Sequence, residues 1–165
     1  MVKIIRSIIL LLVTSSAFTG CMFFLPNVSI SSYYPKQLDN SIRLGTILIE
    51  PSHTQTEVMK DLPDVIKSVA SQNELTVNSE VISDLVMNVS LYRKPYYKKF
   101  KQYESVTVIV DIVKDSTEVA SVIYTDDITT PLESFSQIYR IFDILMKELN
   151  NEFLRIQKEI EKGKI

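Results

Sequence analysis

Two hydrophobic rhythms alternate along this chain. Leu85, Met87, Val89 and Leu91 recur at every second position, with Val86, Asn88, Ser90 and Tyr92 between them. A period of two is that of a β-strand with one buried face. The run 105–113 (SVTVIVDIV) is β-branched enough to be a strand as well. Asp115-Ser116 turns it, and 118–124 (EVASVIY) returns as its hairpin partner. Upstream, 42–50 (IRLGTILIE) reads as a strand that stops at Pro51-Ser52-His53. Weaker signals place an edge strand at 28–34 and a short strand at 75–77, and leave 79–84 ambiguous.

The second rhythm has helical steps. Val58, Leu62, Val65, Ile66 and Val69 follow Thr54 and Glu57, which are spaced as a capping box. The spacing predicts a helix over 55–72, with a kink or restart at Pro63. Phe135, Ile138, Phe142, Leu145, Leu149, Phe153, Ile156 and Ile160 then recur at steps of three and four. They predict a long helix over 132–161, capped by Thr130 with Pro131 and Glu133 behind it. Lys158, Lys162 and Lys164 suit its C-terminus. About thirty helical residues span about 45 Å, so residues beyond about 153 are expected to overhang the sheet and offer a protein contact. The order β-α-β-β-β-α implies an α+β domain. Its expected form is an antiparallel sheet of about four strands with two helices packed on one face.

The first residues belong to neither rhythm. Lys3 and Arg6 precede the apolar run Ile8–Val13, and Thr14-Ser15-Ser16-Ala17 follow. That is the order of a secretory signal peptide. The run is too short for an ordinary spanning helix, which needs about 20 apolar residues. The segment closes Phe18-Thr19-Gly20-Cys21. It resembles the lipobox of bacterial lipoproteins, in which a small residue precedes an invariant cysteine; Phe18 departs from the usual Leu. The resemblance implies cleavage between Gly20 and Cys21, a diacylglycerol thioether on the Cys21 sulfur, and acylation, palmitate included, of the new N-terminus. Residues 1–20 are then the cleaved signal peptide, 21–41 the lipidated cysteine and its tether, and 42–165 a single periplasmic α+β domain. Two or three acyl chains would hold it at the bilayer, which one chain does only marginally. The competing reading is an uncleaved N-terminal anchor, for which Thr14, Ser15, Ser16 and Thr19 make a poor span. Met22, where an Asp would stand in inner-membrane lipoproteins of enteric bacteria, points by the same resemblance to the outer membrane.

Composition removes several classes of chemistry. The 165 residues include three glycines, one histidine and one cysteine. With no glycine between Gly45 and Gly163, a phosphate-cradling glycine loop is excluded. Zinc fingers, Cys/His catalysis and intrachain disulfides fail on count alone. Of the 18 Lys and Arg, loss of Lys3 and Arg6 leaves 16 against 20 acids, a mature net charge of −4. A mildly acidic exported body does not read as a nucleic-acid binder.

The sharpest local feature is the run from Tyr92 to Tyr103. Arg93, Lys94, Lys98, Lys99 and Lys101 interleave there with Tyr92, Tyr96, Tyr97, Phe100 and Tyr103. Pro95 argues against a central strand, so the run is expected to be a loop between strands. Tyr92, Arg93, Lys94, Tyr96, Tyr97, Lys98, Lys99 and Lys101 are the candidate ligand or partner contacts. Each Lys or Arg near an anionic surface contributes about 1 kcal/mol, and aromatic rings suit the interfacial zone. The plainer reading is a solvated hairpin. His53 before a helix, the pair Asp126-Asp127, and Ser29, Ser31 and Ser32 lack any motif partner; loop, turn and capping roles are commoner for such residues.

The element order behind a lipobox resembles two groups of small periplasmic lipoproteins. These are the auxiliary lipoproteins of lipid-transport ABC systems and the lipopolysaccharide-assembly lipoprotein that plugs an outer-membrane barrel. The resemblance rests on order alone, so no functional residues carry over from it. The expected function is a non-enzymatic, lipid-anchored accessory or docking subunit of an envelope complex, with an envelope protein as partner and no cofactor or metal. The alternative is a lipid- or glycan-headgroup-binding module using residues 92–103. A hydrolase is the third reading, and the sequence offers it no recognisable site. The oligomeric state is left open.

Overall fold

A computed structural model describes residues 26–32, 41–50, 57–80, 83–128, 132 and 134–163. Six strands are present: β1 (Asn27–Ser32), β2 (Ser41–Glu50), β3 (Thr76–Asn78), β4 (Leu85–Lys98), β5 (Lys101–Lys114) and β6 (Thr117–Ile128). The helices are α1 (Glu57–Lys60), α2 (Leu62–Gln72) and α3 (Phe135–Glu161). All six strands form one sheet in the order β1-β6-β5-β4-β2-β3. β4, β5 and β6 are antiparallel neighbours, and β1 pairs antiparallel with β6.

The expected four-stranded antiparallel sheet is therefore corrected to a mixed sheet of six strands. β2 runs parallel to both β3 and β4. The physical reason is the helical connection after β2. A chain that leaves a strand, packs a helix on one face and returns to the same sheet comes back parallel. The weak segments near residues 28 and 75 are real strands at the two edges.

One face of the sheet carries the core. Met87, Val89, Leu91, Val106, Val108, Val110, Ile112, Ala120 and Val122 point inward and are buried. They meet Leu62, Val65, Ile66 and Val69 from α2 and Ile138, Phe142, Leu145, Leu149 and Phe153 from α3. The alternation in β4 thus runs as the sequence pattern requires. β2 keeps its apolar residues inward only through a bulge between Leu44 and Ile47, which pair with Met87 and Val89. Gly45 makes the bulge fit, because a Cβ there would lie 2.5 Å from Asn88 Oδ1 and 2.6 Å from Val86 Cγ1. Asn88 Oδ1 in turn accepts the Thr46 N–H at 3.0 Å.

The first helix restarts, as Pro63 demands: α1 ends at Lys60, and α2 begins at Leu62 with proline in its first turn. The expected cap of the long helix is corrected. Ser134, not Thr130, caps α3 through a capping box with Gln137, in which each backbone N–H donates to the other side chain at 3.2 Å. Thr130, Pro131 and Glu133 lie outside the described residues, as do Thr54 and His53. The expected overhang is also corrected. Phe153 and Ile156 are buried and Ile160 packs on the core, because β1 widens the sheet beneath them. Ser32 on β1 donates to the Glu152 carboxylate, which Arg155 also grips at 2.6 and 2.7 Å. Hydrogen bonds from Arg155 hold the Glu152 carboxyl below its ordinary range, against the opposing effect of burial. Phe135, read as part of the helical stripe, is instead half exposed at the first turn and tilts against Tyr139.

Candidate functional site

The run 92–103 is the hairpin of the plainer reading and not a loop. β4 continues to Lys98 and β5 starts at Lys101, so the two strands pair residue for residue down to a two-residue turn at Lys99 and Phe100. The last pair of β4 with β2 is Tyr92 with Glu50, and the last of β5 with β6 is Glu104 with Ile128. Beyond those pairs, among the described residues, the strands have only each other. Pro95 is tolerated because it stands where β4 no longer has β2 at its side. The result is a two-stranded ribbon that projects from one end of the sheet.

Strand alternation divides the candidate residues between two faces. Tyr92, Lys94, Tyr96 and Lys98 lie on the sheet face away from the helices, opposite Thr107, Ser105, Tyr103 and Lys101. The Tyr96 and Tyr103 rings stack there at 5.5 Å with an interplanar angle of 18°. Desolvation against that face, then the hydrogen bond and charge of Asp127, push the Tyr96 phenol above its ordinary range. At the foot of the stripe an open groove of about 770 Å³ is lined by Leu48, Glu50, Tyr92, Lys94, Ser105 and Thr107. No described element covers this side of the sheet. Val86, Ile109, Val113 and Ile123 remain part-exposed on it, and Leu48 is exposed.

Arg93 does not belong with the others. It points to the helix side and is buried at 7% exposure. Its Nε donates to Glu104 Oε1 at 2.7 Å and its Nη2 to Oε2 at 3.1 Å. Glu104 Oε2 also accepts the Leu132 N–H at 2.9 Å. Arg93 thus ties the ribbon to the segment before α3 and is withdrawn from ligand contact. Sequence reasoning missed Glu104, although the signal was there: counting by twos from Leu91 reaches Arg93, and from Val106 reaches Glu104.

The tip concentrates the exposed groups. Tyr97 is 75% exposed, and Phe100, which the candidate set did not include, is fully exposed. Lys94, Lys98, Lys99 and Lys101 are exposed and pair with no described carboxylate. Asp126 and Asp127 point to opposite faces of β6. Asp126 accepts the Tyr124 hydroxyl at 3.0 Å, and burial followed by that carboxylate drives the Tyr124 phenol upward. No group of three or more His, Cys, Asp or Glu among the described residues is placed to hold a metal ion. Ser32 is bound to Glu152, while Ser29 and Ser31 lie on β1. Gly20 and Cys21 lie outside the described residues. No helix among the described residues is long and apolar enough to cross a membrane.

No family model matches the chain, and no curated protein matches it. Solved structures do share the fold. The PelC dodecamer from Paraburkholderia phytofirmans superposes with a TM-score of 0.57 at 9% identity, over 76% of this chain and 98% of that one. A single-substitution variant of the same dodecamer gives 0.55 at 11% identity, over the same 76% and 98%. Lipoprotein GNA1162 from Neisseria meningitidis gives 0.44 at 13% identity, over 67% of this chain and 98% of that one. At such identities the PelC likeness establishes the fold and nothing more.

Proposed function

We propose that this chain is a non-enzymatic accessory protein of the bacterial cell envelope, lipid-anchored at Cys21, that works by docking a protein partner. The observation that carries the docking claim is the side of the sheet away from the helices. Val86, Ile109, Val113 and Ile123 are part-exposed on it, with the polar row Asn88, Asp111 and Ser121 between them. Its end carries the groove beside Tyr92 and Lys94. Part-exposed apolar side chains mixed with polar and aromatic groups suit a recognition surface. The anchor claim rests on the lipobox-like Phe18-Thr19-Gly20-Cys21.

A photo-crosslinking residue in place of Thr107, on that face, is expected to capture an envelope protein in living cells. The same residue in place of Lys147, on the exposed side of α3, is expected to capture none. Capture from position 147 alone, or from neither position, contradicts the docking reading. The dodecameric state of the PelC structures favours one particular partner, a second copy of this chain. On that reading the product from position 107 has twice the mass of the chain.

A further inference from the structure

The sheet has two tight hairpin turns of the same backbone geometry. Asp115 and Ser116 join β5 to β6 with φ of 50° and 65°, and Lys99 and Phe100 join β4 to β5 with φ of 50° and 64°. Paired positive φ values favour Asn, Asp and Gly, and a bulky residue there is an outlier. The first turn comes close to that preference. The second places a phenylalanine at its apex, strained and fully exposed. The ring is buried against nothing in that position, so no apolar burial offsets the strain.

We infer that the Lys99–Phe100 turn is a finger that inserts into the headgroup region of an anionic lipid bilayer. The chemistry fits that occupant. A convex apolar apex, with Tyr97 exposed just behind it and Lys98, Lys99 and Lys101 around it, places rings at the acyl boundary and ammonium groups at the phosphates. One projecting ring is a poor match for a protein partner, since stable interfaces bury about 800 Å² per side.

Geometry brings the finger to the membrane. Asn27 pairs with Thr125, and Thr125 with Thr107, so β1 begins in the row of Thr107. From that row the ribbon runs on by six residues to Lys101, about 20 Å at strand rise. The direction of β1 shows that the chain arrives at Asn27 from the ribbon's end of the sheet. Six residues also separate Asn27 from Cys21, a reach of at most about 20 Å. An anchored Cys21 therefore keeps the row of Thr107 no farther from the bilayer than about the length of the ribbon. This inference rests on the lipid anchor of the proposed function.

The chain contains no tryptophan, so Phe100→Trp creates a single optical probe at the apex. Ser116→Trp supplies the matched control at the other turn. Each full-length, membrane-extracted variant is reconstituted into vesicles of phosphatidylethanolamine and phosphatidylglycerol with brominated acyl chains. The indole of Phe100→Trp is expected to emit to the blue of that in Ser116→Trp. It is also expected to lose roughly half its emission to the bromines, as befits a depth of about 5–10 Å. Replacing Lys98, Lys99 and Lys101 by Glu in the Phe100→Trp chain is expected to abolish the quenching. Flotation of the same vesicles reports the anchor separately. Protein that floats with the apex indole still in water overturns the finger and leaves the anchor standing. Protein that does not float overturns both.

Discussion

Replacing Glu104 by Ala is expected to destabilise the protein by about 3–5 kcal/mol, the cost of breaking a buried ion pair from one side. The carboxylate does three things at once. It takes both donors of the Arg93 fork and the Leu132 backbone N–H, with both side chains at or below one-tenth exposed. Without it the buried guanidinium loses both of those bonds and the charge of Glu104, and a buried N–H loses its acceptor. The loss compares with a total stability of about 5–15 kcal/mol for an ordinary domain. Urea unfolding measures it as a fall in midpoint. The joint replacement Arg93→Met with Glu104→Leu is expected to recover much of the loss, because it removes both charges rather than one. An unchanged midpoint in Glu104→Ala would show that the pair carries no structural weight.

Replacing Gly45 by Val is expected to cost about 3 kcal/mol, at the upper end of ordinary overpacking. The new Cβ would sit 2.5 Å from Asn88 Oδ1, 2.6 Å from Val86 Cγ1 and 3.1 Å from the Met87 carbonyl oxygen. Asn88 can yield only by giving up its bond to the Thr46 N–H. The Met87 carbonyl belongs to the backbone of a central strand. The bulge lets Leu44 and Ile47 both face the core, and its loss would turn one of them outward. Urea unfolding reads this loss too. A midpoint equal to that of the natural chain would mean that β2 passes Asn88 at a greater distance than the structure gives.

These two sites mark the limits of what the chain's pattern discloses. The rhythm of β4 and the stripe of α3 are legible because each element buries one face against a continuous core. Leu85, Met87, Val89 and Leu91 are buried, as are Phe142, Leu145, Leu149 and Phe153. The bulge at Gly45 is not legible, since it depends on where Asn88 and Val86 of another strand lie. The parallel pairing of β2 with β4 is foreshadowed by the helix between them, which a reading of strands alone overlooks. Pro95 argues for a loop because proline rarely stands in a central strand, and it stands here only where the strand has lost a neighbour. The same ending of β2 that admits Pro95 gives the ribbon its reach. The candidate residues are recognisable as a group by charge and aromaticity. Their division into an outer stripe, a buried arginine and a tip follows from strand parity, a property of the pairing rather than of composition.

Intact mass of the membrane-extracted protein, beside a Cys21→Ala control, tests most directly where the chain is held. The predicted result is a mass for the chain from Cys21 onward plus diacylglycerol and acyl groups, lost in the control. A full-length, unacylated mass would contradict it, removing both the anchor and the height at which the ribbon meets the bilayer.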